Sequence, residues 1–280
     1  MLLVCLLFFK SFIKGVIILL RSIWQYKQFI YSCVKREFQA RYKGSVFGAA
    51  WAVFQQLAII FVYTVVFSEI MKNKLAGMTE VPFAYSMYLC AGVITWGLFT
   101  ETLTRCVNVF FEHANLMKKV FFPRICLPVI NTLSSFVNFV ISFSLFLAFL
   151  IIIGKFPWSI FWSFFIVLIV QTAFSVTLGV GLGVLNVFFR DIGQFLSVVL
   201  QFWFWFTPIV YPQSILPKEV EMFMNINPMY HVIRGYQNIF VYNKLPDFKS
   251  LAVVFAVSII LGIWALHLYR KHVGELVDEL

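Results

Sequence analysis

The sequence predicts an all-α integral membrane protein: six transmembrane helices, an N-terminal amphipathic interface helix, and re-entrant short helices in the last outer loop. Three observations predict it. Hydrophobic residues make up 61% of the 280 positions and charged residues only 12%, where soluble domains carry about 25% charged residues. Apolar runs long enough to cross about 30 Å of hydrocarbon recur along the chain, joined by short connections. The basic residues, 22 Lys and Arg against 12 Asp and Glu, gather on one set of those connections, as the positive-inside bias requires.

Residues 1–45 read as a cytoplasmic, interfacial region. Lys10, Lys14 and Arg21 interrupt the apolar leader before any run reaches spanning length. No positive segment followed by a cleavage site marks a secretory signal. Residues 1–30 therefore read as an amphipathic segment on the membrane face, with Lys10, Lys14, Arg21 and Lys27 toward headgroups; a true first span is the other reading.

The six-span domain covers 46–270. Its spans are Val46–Phe67, Phe83–Phe110, Leu127–Ile153, Trp158–Phe189, Ile192–Ile209 and Leu251–Tyr269, followed by a cytoplasmic tail at 271–280. With six spans both termini share a side. That side, with connections 2–3 and 4–5, holds Lys10, Lys14, Arg21, Lys27, Lys35, Arg36, Arg41, Lys43, Arg105, Lys118, Lys119, Arg124, Arg190, Arg270 and Lys271, fifteen of the 22 basic residues. The excess places both termini in the cytoplasm. A soluble protein with a net charge of +10 would suggest nucleic acid as a partner; here the hydropathy gives the charge to topology and anionic headgroups, and nucleic acid is not expected. The long outer connection, Tyr211 to Lys249, is too apolar for a solvated loop and reads as short helices dipping into the outer leaflet.

Enzymatic signatures are missing: no phosphate-cradling G-x-x-x-x-G-K-[ST], no H-E-x-x-H, no G-x-S-x-G. Gly179-Val-Gly181-Leu-Gly183 lies within a span and reads as close helix packing. Cys5, Cys33, Cys90, Cys106 and Cys126 read as small buried hydrophobes, and the four histidines form no ligand cluster. No catalytic residue and no metal site is expected. Glu101 and Arg105 form an intramembrane ion pair one helical turn apart, either a functional site or a structural clip. Aromatics crowd span five, at Phe202, Trp203, Trp205 and the following Tyr211, and span one, at Trp51, Phe54 and Tyr63. Flat rings suit sugar faces, and they equally suit lipid-facing belts.

The segment Lys35-Arg-Glu-Phe-Gln-Ala-Arg-Tyr-Lys-Gly-Ser-Val-Phe-Gly-Ala-Ala-Trp51 resembles the start of the membrane subunits of type-2 ABC exporters for polysaccharide. Leu116–Arg124 is similar to their cytoplasmic connection, Phe189-Arg-Asp-Ile192 to their short cytoplasmic turn, and Asn227-Pro-Met229 to an element of their large outer loop. The apolar leader departs from the pattern. The resemblance implies a homodimeric permease, most like O-antigen exporters, that moves a lipid-linked (undecaprenyl-pyrophosphate) polysaccharide across a bacterial inner membrane. ATP and Mg would be bound by a separate ATP-binding cassette subunit, with no cofactor in this chain. It further implies pyrophosphate binding where the headgroup enters, at Arg36, Arg41 and Lys43, although topology-setting charge is the alternative there. A coupling helix would comprise Asn115, Leu116, Met117, Lys118 and Lys119, and the crowded aromatics would line a conduit. Capsule or teichoic acid export remains an alternative, as, more remotely, does a membrane glycosyl or acyl transferase.

Overall fold

A computed structural model describes residues 24–43, 47–48, 50–51, 53–55, 57–58, 60–62, 83–114, 123, 126–212, 217–272 and 274. Among the described residues every regular element is helical and none is a strand. The helices are α1 (Lys27–Tyr42), α2 (Ala84–Glu112), α3 (Cys126–Ile152), α4 (Trp162–Phe188), α5 (Asp191–Trp205), α6 (Lys218–Met224), α7 (Pro228–Phe240) and α8 (Phe248–His272). A shorter apolar helix runs over Val53–Val62.

Among the described residues three helices are long and apolar enough to cross a membrane: α3, α4 and α8, of 27, 27 and 25 residues. They match the third, fourth and sixth expected spans. The second expected span is α2, 29 residues long, with Glu101, Arg105 and Glu112 in its second half. It is buried around most of its circumference and packs against α3, α4, α5 and α7. A helix that touches protein on most sides can carry charge that a lipid-facing helix could not. Of the first expected span, Val46–Phe67, ten residues, among them 63–67, lie outside the described residues, as do residues 1–23 of the leader.

Bilayer-embedded helices gain little from the hydrophobic effect against one another, so close approach and polar bonds decide their packing. The glycine run does this on two faces of α4. A Cβ on Gly179 would stand 2.6 Å from the Cys106 Cβ, and one on Gly183 would stand 2.6 Å from the Cys106 carbonyl oxygen of α2. A Cβ on Gly181 would meet the Trp264 ring of α8 at 2.1 Å. The α4–α5 turn is fastened to α2 as well: Asn186 Nδ2 donates to the Val107 carbonyl at 3.2 Å, and Asn186 Oδ1 accepts from the Gly193 amide at 2.9 Å.

Span five is shorter than Ile192–Ile209. Helix α5 has 15 residues, about 22 Å of rise, and the chain then runs without helix to Pro212. Pro208 and Pro212 bring no amide hydrogens to extend the helix. The freed carbonyls are met from neighbouring helices instead. Pro208 accepts from Tyr88 Oη at 2.7 Å and from Gln237 Nε2 at 3.1 Å, while Val210 accepts from Tyr85 Oη. Irregular backbone at membrane depth requires such partners. Helix α7, with Asn227 as its N-cap and Pro228 at its first position, packs among α2, α4 and α8.

One end of the bundle gathers the helix ends expected on the basic side. Ile30 and Cys33 of α1 share a packed cluster with Phe110 at the end of α2, Cys126 and Leu127 at the start of α3, and Val187 near the end of α4. Leu268 and Tyr269 of α8 join it.

Candidate functional site

Above that cluster, charged and amide side chains of three helices converge. Helix α1 supplies Glu37 and Arg41, one turn apart. Its apolar residues Ile30 and Cys33 seat the helix on the bundle, which turns Glu37 inward. Helix α2 supplies Glu101 and Arg105, and α3 supplies Asn131, Ser134 and Asn138, spaced so that a 3.6-residue period puts them on one face.

Arg41 Nη2 lies 3.1 Å from Glu101 Oε1. The same carboxylate oxygen accepts from Asn138 Nδ2 at 2.6 Å and lies 3.8 Å from Arg105 Nη1. Arg105 Nη2 forms its closer pair with Glu37 Oε2, which also accepts from Ser134 Oγ at 2.7 Å. The Arg105 carbonyl is held by Asn131 Nδ2 at 2.8 Å. Asn131 also reaches Glu112 Oε2 at 3.3 Å and His113 Nε2 at 3.1 Å, while His113 Nε2 is 3.7 Å from Glu37 Oε1. Two arginines thus alternate with two carboxylates. Pairing and amide hydrogen bonds offset the desolvation each charge would suffer alone. Arg105 is 18% exposed and Arg41 46%, so the chain of charges runs from the bundle interior outward.

The Glu101–Arg105 pair is therefore not closed on itself: both members bond α1, 60 and 68 residues away in sequence. Of the three basic residues implied for a phosphate, Arg41 is engaged with Glu101. Arg36 is exposed, with Nη2 at 3.5 Å from Cys33 Sγ, and Lys43 is exposed just past α1. Sequence reasoning passed over Glu37 as a site residue. Its signal was present: one acid in the basic run Lys35–Lys43, one turn before Arg41. A second signal is the stripe Asn131, Ser134, Asn138 and Ser142, four polar residues at helical spacing in α3.

The aromatics divide by face. Phe202 and Trp205 of α5 are exposed, at 62% and 58%, with Phe195 and Phe206 on the same side. Trp203 points the other way. Its ring meets Phe99 edge-on at 5.3 Å, and its Nε1 donates to Asn227 Oδ1 at 2.8 Å. Tyr211 is half-buried and donates from Oη to the Trp205 carbonyl at 2.5 Å. Trp51 and Phe54 are exposed and contact each other edge-on at 6.4 Å. Tyr63 and the coupling segment Asn115, Leu116, Met117, Lys118 and Lys119 lie outside the described residues. Among the described residues no cluster of His, Cys, Asp or Glu has the arrangement to hold a metal ion.

Fold and junction together define a helical membrane protein whose first described helix is ion-paired into its bundle. The chain belongs to the ABC-2 type transporter family, which its residues 28–241 match. It is 31% identical over 250 residues to the O-antigen export system permease protein RfbA of Myxococcus xanthus, covering 88% of this chain and 93% of that protein. Two proteins of the same name from Klebsiella pneumoniae are 27% and 25% identical over 237 residues, each covering 84% of this chain and 88% of theirs. The chain is accordingly a transport subunit and not an enzyme, and the family places it in an ABC system with an ATP-binding partner.

Proposed function

We propose that this chain is the permease subunit of an exporter that moves a lipid-linked polysaccharide of the O-antigen type from the cytoplasm across the bacterial inner membrane. The observation that carries the reading is similarity along nearly the whole length of an O-antigen permease, not across one shared segment. In this reading two copies form the pathway, each bound to a separate ATP-binding subunit. The termini and the charged junction face the cytoplasm.

The geometry supports a division of labour. The exposed cations at the end of α1, Arg36, Arg41 and Lys43, stand where a pyrophosphate headgroup leaves the lipid surface, and guanidinium groups can grip it in a two-pronged way. The exposed ring face of α5, Phe202 and Trp205, with Trp51 and Phe54, offers stacking surfaces to sugar rings. The half-buried Trp203 positions the end of α5 through Asn227. Residues Asn115–Lys119 serve as the coupling segment gripped by the ATP-binding subunit, so that nucleotide-driven closure moves α2 and α3, and with them α1.

Co-expression with the cognate ATP-binding subunit tests this. The two should co-purify, ATP turnover should appear in the pair, and cells lacking this chain should lose surface polysaccharide until it is restored. Replacing Leu116 and Met117 with Asp should bring export to background. Continued export by that variant with the ATP-binding subunit still attached would remove the coupling assignment; an intact polysaccharide coat without this chain would remove the whole reading.

A further inference from the structure

The proposed phosphate site contains a contradiction in its ground state: Arg41, one of its three cations, is already paired. We infer that Glu101 is a placeholder carboxylate that occupies the Arg41 guanidinium until the phosphate of an anionic cargo headgroup displaces it, so that headgroup binding and the α1–α2 ion pair exclude each other. The inference rests on the phosphate reading of Arg41 and adds a mechanism to it.

Three features make the exchange favourable. Arg41 meets Glu101 through a single oxygen, at 3.1 Å, whereas a phosphate can engage both prongs of a guanidinium and carries more charge. Arg41 is 46% exposed and Glu101 28%, so an anion can approach the cation while the carboxylate stays behind. Glu101 also has somewhere to go. Its Oε1 keeps the Asn138 amide at 2.6 Å and has Arg105 Nη1 at 3.8 Å, and Arg105 Nε has no hydrogen-bond partner among the described residues. Losing Arg41 therefore does not strand a bare carboxylate in the bundle, which would be the costly outcome.

The consequence is directional. The Glu37–Arg105 pair, braced by Ser134, lies one turn before Arg41 and is untouched by the exchange. Anion binding frees only the last turn of α1, leaving the helix hinged at Glu37. Arrival of cargo is thereby reported to α2, the helix that leads into the proposed coupling segment.

The test uses the transporter with its ATP-binding subunit in nanodiscs of phosphatidylcholine, with two probes, inorganic pyrophosphate and farnesyl pyrophosphate. Glu101→Gln, which keeps an acceptor for Asn138 and removes the competing charge, should tighten farnesyl pyrophosphate binding about three- to fivefold, the range of partly exposed ion pairs. Arg41→Gln should abolish most binding, and the double variant should show no gain. In the wild type, saturating probe should speed amide hydrogen exchange at the Arg41 end of α1 and leave the exchange around Ile30 and Cys33 unchanged. This second measurement needs no variant to fold.

If Glu101→Gln binds no tighter while Arg41→Gln still loses binding, the phosphate site stands and the placeholder is wrong. Unchanged exchange along α1 with probe bound likewise overturns the placeholder. If Arg41→Gln binds like the wild type, the phosphate reading itself fails and this inference with it. Tighter binding of the farnesyl probe than of inorganic pyrophosphate supports a membrane-borne headgroup as the displacing anion; equal binding overturns that assignment in favour of a soluble anion.

Discussion

Asp247 shows how one side chain starts a membrane helix. It precedes α8, where the Lys249 amide donates to Oδ1 at 3.1 Å and the Ser250 hydroxyl to Oδ2 at 2.6 Å, and Pro246 before it keeps the helix from starting earlier. The Ser250 hydrogen bond, followed by the backbone amides, holds the Asp247 carboxyl below its ordinary pKa. A depressed folded pKa means that the charged cap contributes fully above the unfolded value, about 3.9, and is lost as pH falls through the folded one. Asp247→Ala should therefore lower stability by about 1 kcal/mol at pH 7. The gap between variant and wild type in thermal unfolding should stay constant from pH 7 to about pH 5 and close only in stronger acid. A gap that closes near neutral pH would assign the cap to another group. Asn227 acts similarly but binds more widely. It caps α7 through the Met229 amide at 3.0 Å while Trp203 Nε1 and Thr207 Oγ1 bond the same side chain. The Asn-Pro-Met resemblance marked this residue, but its bond to a tryptophan 24 residues away was beyond any local pattern.

At the scale of the element, the glycine run makes the sharpest claim. Gly183→Ala puts a methyl where the Cys106 carbonyl already lies within 2.6 Å, so α2 and α4 must separate. The expected cost is about 1 to 3 kcal/mol, as for overpacked cores. Gly97, exposed on α2 with nothing within 4 Å of its Cβ position, is the internal control. There Ala should be neutral or gain up to about 1 kcal/mol from helix propensity. Thermal unfolding should come earlier for Gly183→Ala and stay or rise for Gly97→Ala; a tolerated Gly183→Ala would mean the helices do not approach there. The packing role of this run was legible in the sequence because small residues repeat at helical spacing within an apolar span. The orientation of α5 was not. Phe202, Trp203 and Trp205 stand in one aromatic string that follows Gln201, and the exposed stripe Gln194, Ser197 and Gln201 marks one face of the helix without saying which groups meet the opposite face. Only Phe99 and Asn227, on distant segments, turn Trp203 inward. The ionic junction was half legible for the same reason: the i,i+4 pair Glu101–Arg105 can be read locally, while its union with Glu37 and Arg41 needs the docking of α1.

At the scale of the molecule, sidedness is the property on which the proposed function depends, since an exporter must present its charged junction and its coupling segment to one compartment. The fold groups the relevant ends. Helix α1, the end of α2, the start of α3, the end of α4 and the end of α8 meet in one cluster, and of the fifteen basic residues counted from the sequence the described Lys27, Lys35, Arg36, Arg41, Lys43, Arg105, Arg190, Arg270 and Lys271 lie on or beside these helices. Helix α4, 27 residues long, or about 40 Å, separates the two faces. At one end lies the link carrying exposed Lys155 and Trp158, and at the other the turn at exposed Arg190. Cysteines introduced one at a time at Lys155 and Arg190 should divide cleanly. A membrane-impermeant maleimide added to intact spheroplasts should modify Lys155→Cys and spare Arg190→Cys until the membrane is opened. Background should be low, since Cys33, Cys90, Cys106 and Cys126 are buried thiols, and Cys5 is removed by substitution as a precaution. Labelling of Arg190→Cys from outside would invert the orientation. It would place the Glu37–Arg105 junction, the proposed phosphate site and the segment meant for the ATP-binding subunit on the face where no ATP is available, and export driven through them would fail as a mechanism.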